Sequence, residues 1–207
     1  MEKIINFKMV IVGDTGIGKT SIIHKYVNGN NISKKYAHET TLGAIFWRAN
    51  KEIDKININL NIWDTAGQER FNSLIPMYVR NTDIALLVFD FTNKKSFENL
   101  ERWMNYLKEG NFKDNMKIML VGNKTDLNDF ILINDEEIKE FLKKNNLGEK
   151  YYKTSAKSGT GINELFNDIF KFTFSTNKKK EIILSNSKPT IKVDNNLEDN
   201  KRYYCCF

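Results

Sequence analysis

The sequence predicts an α/β fold, a mainly parallel sheet with helices on both faces, and three observations carry that expectation. Short apolar runs alternate with longer stretches of helical spacing along most of the chain, the pattern of strands joined by crossover helices. Residues 84–90 (IALLVFD) are apolar without interruption until the final Asp, as in a strand covered on both faces. A glycine-rich turn at 13–18 directly follows the first apolar run and opens a helical stretch. Open sheets of this kind bind ligands at the C-terminal ends of their strands.

Each element follows in order. Residues 7–12 (FKMVIV) read as a buried strand closed by Gly13. Residues 20–28 read as a helix, stopped by Asn28-Gly29-Asn30-Asn31. After a polar stretch, 44–48 form a strand. Over 56–62, Ile56, Ile58, Leu60 and Ile62 alternate with Asn57, Asn59 and Asn61, the period of a half-exposed strand. The 84–90 strand comes next, then one helix over 94–109 with Phe97, Leu100, Trp103, Met104 and Leu107 on its apolar side. Residues 118–121 give a strand, 135–144 a helix, 151–154 a short strand and 162–172 a last helix. Beyond 174 no apolar face persists. The expected division is a domain over 1–176 and a flexible tail over 177–207.

Composition supports this. The 207 residues are 41% apolar and 28% charged, values of an ordinary globular protein that exclude collagenous or wholly disordered chains. Of the net charge of +6, half sits in 177–207, where seven cations face four anions. The domain offers no basic stripe, so nucleic acid is not an expected partner. Cys205 and Cys206 are the only cysteines; adjacent and near the end, they cannot staple a distant loop. No signal peptide and no membrane-spanning run is expected.

Four motifs carry chemistry. Gly13-Asp14-Thr15-Gly16-Ile17-Gly18-Lys19-Thr20, followed by Ser21, matches the phosphate-binding loop G-x-x-x-x-G-K-[ST]. Its backbone N–H groups turn toward phosphates, Lys19 reaches the outer ones and the Thr20 hydroxyl suits Mg²⁺. This loop alone leaves ATP and GTP, kinase and switch, open. Asn123-Lys124-Thr125-Asp126, after the fifth strand, points to guanine: one fixed carboxylate accepts from both N1–H and the exocyclic amine, whereas adenine presents a lone pair there. In this reading Asn123 braces the loops and the Lys124 stem covers one face of the base. Trp63-Asp64-Thr65-Ala66-Gly67-Gln68-Glu69 follows the alternating strand. It supplies Asp64 for Mg²⁺ through water, a Gly67 N–H for a γ-phosphate, and Gln68 to orient an attacking water. Thr154-Ser155-Ala156-Lys157 follows the last strand and lines the base.

In this order and spacing the motifs resemble the Ras-like small GTPases, over residues 5–174. The resemblance implies the P-loop NTPase fold with a six-stranded sheet and five helices, slow Mg²⁺-dependent hydrolysis of GTP to GDP, and Thr41 as the switch I threonine that completes the Mg²⁺ shell. Lys19, Thr41 and Gln68 would then be the catalytic set. Within the superfamily the chain is similar to the Rab branch. Leu42-Gly43-Ala44-Ile45-Phe46, residues 63–71, Tyr78-Val79-Arg80-Asn81 and Leu87-Val88-Phe89-Asp90-Phe91-Thr92 carry that likeness. Phe46, Trp63 and Tyr78 match the aromatic triad such proteins show to effectors. Residues 41–46 and 73–78 are most similar to the early-endosomal subgroup, which implies a role in endocytic vesicle traffic. Three departures stand out, one being that no aromatic residue sits clearly where the family clasps the guanine from the side. The stretch between Lys19 and Thr41 is about three residues longer than the family's usual one, through Asn30-Asn31-Ile32-Ser33. Thr15, near a γ-phosphate in this reading, bears on hydrolysis.

The chain ends Lys201-Arg202-Tyr203-Tyr204-Cys205-Cys206-Phe207. Tyr204 stands where a C-a-a-X box needs cysteine, and the terminal pair instead resembles the double geranylgeranylation signal of Rab proteins. Two chains would anchor stably where one would not, with the nearby lysines adding attraction to anionic lipid. The resemblance implies a monomer on the cytoplasmic face of endosomal membranes, cycling with the cytosol. It also implies an exchange factor, a GTPase-activating protein, a GDP-dissociation inhibitor or escort, and effectors as partners. No arginine stands out as a finger in cis, so the activator is expected to supply it. Two alternatives are a non-hydrolysing nucleotide-bound scaffold of the same fold and an ATP-dependent P-loop kinase.

Overall fold

The computed structural model describes residues 3–29, 41, 43–67, 74–110 and 116–186, with side chains to 178. The chain divides into compact units at Met1–Phe174 and Ser175–Phe207. Within the first unit six strands form one sheet in the order β2-β3-β1-β4-β5-β6. The strands are β1 (Lys3–Val12), β2 (Ala44–Ile53), β3 (Ile56–Thr65), β4 (Ile84–Asp90), β5 (Lys117–Asn123) and β6 (Tyr151–Lys153). All neighbours pair in parallel except β2, which runs antiparallel to β3 at the edge. The helices are α1 (Lys19–Asn28), α2 (Ile75–Val79), α3 (Lys94–Glu98), α4 (Leu100–Gly110), α5 (Asp135–Lys144) and α6 (Ile162–Asn186).

Alternation along β1 divides the core. Met9 and Ile11 join Ile58, Leu60, Ile62, Ile22, Phe166 and Phe170 on one face of the sheet. Val10 and Val12 join Val79, Leu87, Phe89, Trp103 and Leu142 on the other. All seven residues of β4 are buried, as a central strand with a helical layer on each side demands. In β3, Ile58, Leu60, Ile62 and Asp64 are buried while the asparagines between them are not. The alternation that packs three apolar side chains therefore also turns the carboxylate of Asp64 inward.

Four of the boundaries that differ from the sequence reading have a clear physical reason. Strand β1 starts at Lys3, because Lys3-Ile4-Ile5-Asn6 register against 56–59 of β3. Strand β2 runs on to Ile53, where Asp54 and Lys55, at φ 50° and 62°, close a two-residue hairpin onto Ile56; positive φ at both positions matches the twist of the ribbon. The single helix read over 94–109 is broken at Asn99 into α3 and α4, and counting the pair as one broken helix leaves five. Finally, α6 continues past Phe172 to Asn186, through 177–186 of the stretch read as flexible. Lys178-Lys179-Lys180-Glu181 and the following Ile-Ile-Leu are adequate helix formers. A nucleated helix extends without an apolar face. Helix α5 begins with a capping box between Asn134 and Glu137. No helix among the described residues is long and apolar enough to cross a membrane.

Candidate functional site

The site gathers at the C-terminal ends of β1, β3, β4, β5 and β6. Beyond Val12 the chain turns through Gly13, Gly16 and Gly18, all with positive φ. Gly18 is the left-handed N-cap of α1; a Cβ there would stand 2.3 Å from Asn123 Nδ2, so glycine alone allows that approach. Thr15 and Gly16 are exposed. Ile17 buries its side chain in the core and leaves only its backbone to the loop. Ser21 follows Thr20 on α1, half-buried.

Lys19 is 6% exposed, and its Nζ donates to the carbonyls of Gly13 and Asp14 at 2.8 Å each. Burial pulls its pKa down to about 8, against the opposing pull of Asp64 and Asp14. Unfolding raises it to the ordinary value of 10.5, so the unfolded chain binds more protons between these limits. The nucleotide-free protein should therefore gain stability as pH rises from about 8 to 10.5, with the penalty fully present below 8. Melting of the nucleotide-free protein across this window checks this: the rise should be missing from Lys19→Met.

Three oxygen-bearing side chains meet beside Lys19. The Thr20 hydroxyl donates to Asp64 Oδ2 at 2.6 Å and lies 3.0 Å from the Thr41 hydroxyl. Asp64 is fully buried, its Oδ1 without a hydrogen-bond partner. Burial raises its pKa to about 6, resisted by the Thr20 hydroxyl and by Lys19. Two hydroxyls and a half-satisfied buried carboxylate are hard oxygen donors that fit Mg²⁺. No cluster of three His, Cys, Asp or Glu competes for a metal among the described residues. Gly67 presses on the phosphate loop, where a Cβ would lie 2.4 Å from Asp14 C and Thr15 N. Gln68 lies outside the described residues, as do Leu42, the 30–33 insertion, 69–73, Cys205 and Cys206.

Asn123 ties the loops together. Its amide donates to the Ile17 carbonyl at 2.8 Å; its oxygen accepts from Thr154 Oγ1 and from Ala156 N, each at 3.2 Å. Asp126 Oδ1 accepts from the buried Ser155 hydroxyl at 2.6 Å, and Lys157 Nζ stands 3.9 Å from Oδ2. Lys124, at φ 67°, pairs with Asp90 Oδ2 at 2.7 Å. Asp90 also accepts from Thr92 N and Oγ1. Sequence reasoning passed over Asp90 in this role; an acid at the C-terminal end of a central parallel strand was the available signal. The same holds for Asp14, at an x position of the loop pattern.

The aromatic residues form a continuous surface. Phe46 and Trp63 meet edge to face at 5.6 Å, and Trp63 and Tyr78 lie 5.7 Å apart. Phe46 is half exposed, while Trp63 also packs on the core.

A phosphate loop on β1, a carboxylate at the end of β3 and an Asn-Lys-x-Asp turn after β5 define a guanine-nucleotide-binding P-loop domain. The chain belongs to the Ras family, whose profile it matches over residues 8–175. It is 39% identical over 171 residues to Ras-related protein RABF2a of Arabidopsis thaliana, covering 82% of each chain. It is 38% identical over 168 residues to Ras-related protein Rab5 of Nicotiana tabacum, covering 81% of this chain and 80% of that one. Ras-related protein Rab-7b of Paramecium octaurelia is 36% identical over 203 residues, covering 97% and 96%. The protein is therefore a Rab-type small GTPase, a GTP-hydrolysing switch of membrane traffic that binds GTP and GDP with Mg²⁺. Exchange factors, activating proteins, a GDP-dissociation inhibitor and effectors are its classes of partner.

Proposed function

We propose that this GTPase acts in endocytic traffic at early endosomal membranes, held there by geranylgeranyl groups on Cys205 and Cys206. The similarity to Rab5 and RABF2a carries the endosomal reading; the terminal cysteine pair beside Lys201 and Arg202 supports the anchor. Residues 1–176 act as the nucleotide-binding domain and 177–207 as the membrane-directed tail.

Within the domain, the N–H groups of 13–20 and the buried Lys19 ammonium hold the phosphates. Thr20, Thr41 and Asp64 would hold Mg²⁺, which when bound would offset negative charge on the nucleotide phosphates. Thr41 meets the Thr20 hydroxyl, which links switch I to the nucleotide; Gly67, against the phosphate loop, links switch II. Gln68 orients the attacking water. Hydrolysis removes the group that both switches contact, so the surface around Phe46, Trp63 and Tyr78 is released from its GTP-bound form. Asp126, held by Ser155, reads guanine between Lys124 and the Ala156 and Lys157 backbone.

Imaging tests the location. The tagged protein should coincide with internalised fluid-phase tracer within the first minutes of uptake, whereas Cys205→Ser with Cys206→Ser should spread through the cytosol. Identical distributions of the two proteins would sink the anchoring, and coincidence with tracer only at late times would sink the early endosomal assignment.

A further inference from the structure

The side chain of Asp14 turns away from the nucleotide end of the sheet and toward the break between α3 and α4. Its Oδ2 accepts from Asn99 Nδ2 at 2.6 Å. Its Oδ1 accepts from Trp103 Nε1 at 2.7 Å and from Arg102 at 3.1 Å. The three donors are i, i+3 and i+4 across the break, one face of a helical turn. Trp103 is completely buried, and an enclosed indole N–H needs an acceptor. The acceptor here comes from the phosphate loop. The guanidinium of Arg102 lies over the Trp103 ring at 5.4 Å; its Nε is buried without a hydrogen-bond partner, so its pairing with Asp14 is what recommends that placement.

Ile17, buried in the core and held at its carbonyl by Asn123, fixes the far end of the loop, but at 13–16 Asp14 has the one side chain with a hydrogen-bond partner among those described. Gly13 and Gly16 have no side chain, and Thr15 is exposed. The Asp14 peptide meanwhile does two things: its carbonyl accepts from Lys19 Nζ, and its backbone faces Gly67. A neutral acceptor would satisfy Trp103. A carboxylate with three donors, one of them charged, is a stiffer fixture. We propose that Asp14 is a positioning residue: its carboxylate, clasped by Asn99, Arg102 and Trp103, fixes the phosphate loop against Lys19 and Gly67 and so sets how long a guanine nucleotide stays bound. This rests on the nucleotide-binding roles assigned above.

A double-mutant cycle on release of a fluorescent GDP analogue, with Mg²⁺ present, tests it. Wild type should release the analogue slowly. Asp14→Asn should release it on the order of tenfold faster, and Arg102→Met, whose site is away from the nucleotide, several-fold faster. In the Asp14→Asn background Arg102→Met should add nothing, because the partner is already altered. Each protein's GDP-bound melt confirms that it is folded; Arg102 is 41% exposed in its side chain, and its loss leaves the core intact. Multiplying effects, or an Arg102→Met rate equal to wild type, would overturn the clasp while leaving guanine binding in place. A wild-type protein that fails to bind the analogue would overturn both.

Discussion

Asp126→Asn should weaken GDP binding by roughly a thousandfold and let XDP bind in its place. The size follows from the cost of leaving polar groups of a fitted site unpaired, on the order of 10⁴ in discrimination. The Asp126 carboxylate is oriented by the Ser155 hydroxyl at 2.6 Å, with Lys157 3.9 Å from its other oxygen. Its acceptor capacity then faces the two adjacent donors of guanine. An amide there presents one acceptor and two donors, so a guanine N–H is left unmatched. Xanthine carries a carbonyl in place of the exocyclic amine and accepts from the new amide. The Ser155 hydroxyl can still donate to the amide oxygen, so the variant should fold normally. Competition of GDP, XDP and ADP against a fluorescent nucleotide reads the result. An unchanged preference for GDP would remove Asp126 from its role.

Gly67→Ala should lower single-turnover GTP hydrolysis by about a hundredfold while GDP release changes only a few-fold. The added carbon would stand 2.4 Å from Asp14 C and Thr15 N and 2.5 Å from the Asp14 carbonyl oxygen. These are backbone atoms, so no side chain can swing aside. Position 67 must withdraw instead, carrying the start of switch II with it. A misplacement of about 1 Å at a reacting group costs on the order of 10²-fold. The guanine end, held by Asn123 and Asp126, is untouched. Equal hydrolysis in the variant and wild type would show that the close approach has no bearing on the reaction.

The parts of this molecule legible in the sequence were those governed by local pattern. The apolar run of β4 and the Ile-Asn alternation of β3 were readable because burial on two faces or one imposes a period of its own. The three loops after β1, β3 and β5 were readable because phosphate, Mg²⁺ and guanine each demand particular atoms at fixed spacing. Features made by distant partners were not. Lys3-Ile4-Ile5-Asn6 become strand only because β3 offers hydrogen bonds fifty residues on. Asn99 ends α3 where a sequence reader sees an unbroken Phe97, Leu100, Trp103 stripe. Asp90 and Asp14 look like ordinary polar residues until Lys124 and Trp103 are beside them. The end of α6 differs the other way, because a helix without an apolar stripe leaves no period in the sequence.

Asn123 reaches the Ile17 carbonyl with one end of its amide and the Ala156 N–H with the other, and this has a consequence for kinetics. The purine end and the phosphate end of the pocket are parts of one rigid body, and a nucleotide is a bivalent ligand whose arms match it. Once either arm is seated, the other finds its subsite at high effective concentration. A departing nucleotide must free both before rebinding captures it, so residence is long even if each half alone would leave quickly. Any protein that speeds exchange need not contact the whole ligand: loosening one arm is enough to turn a chelate into a monovalent complex.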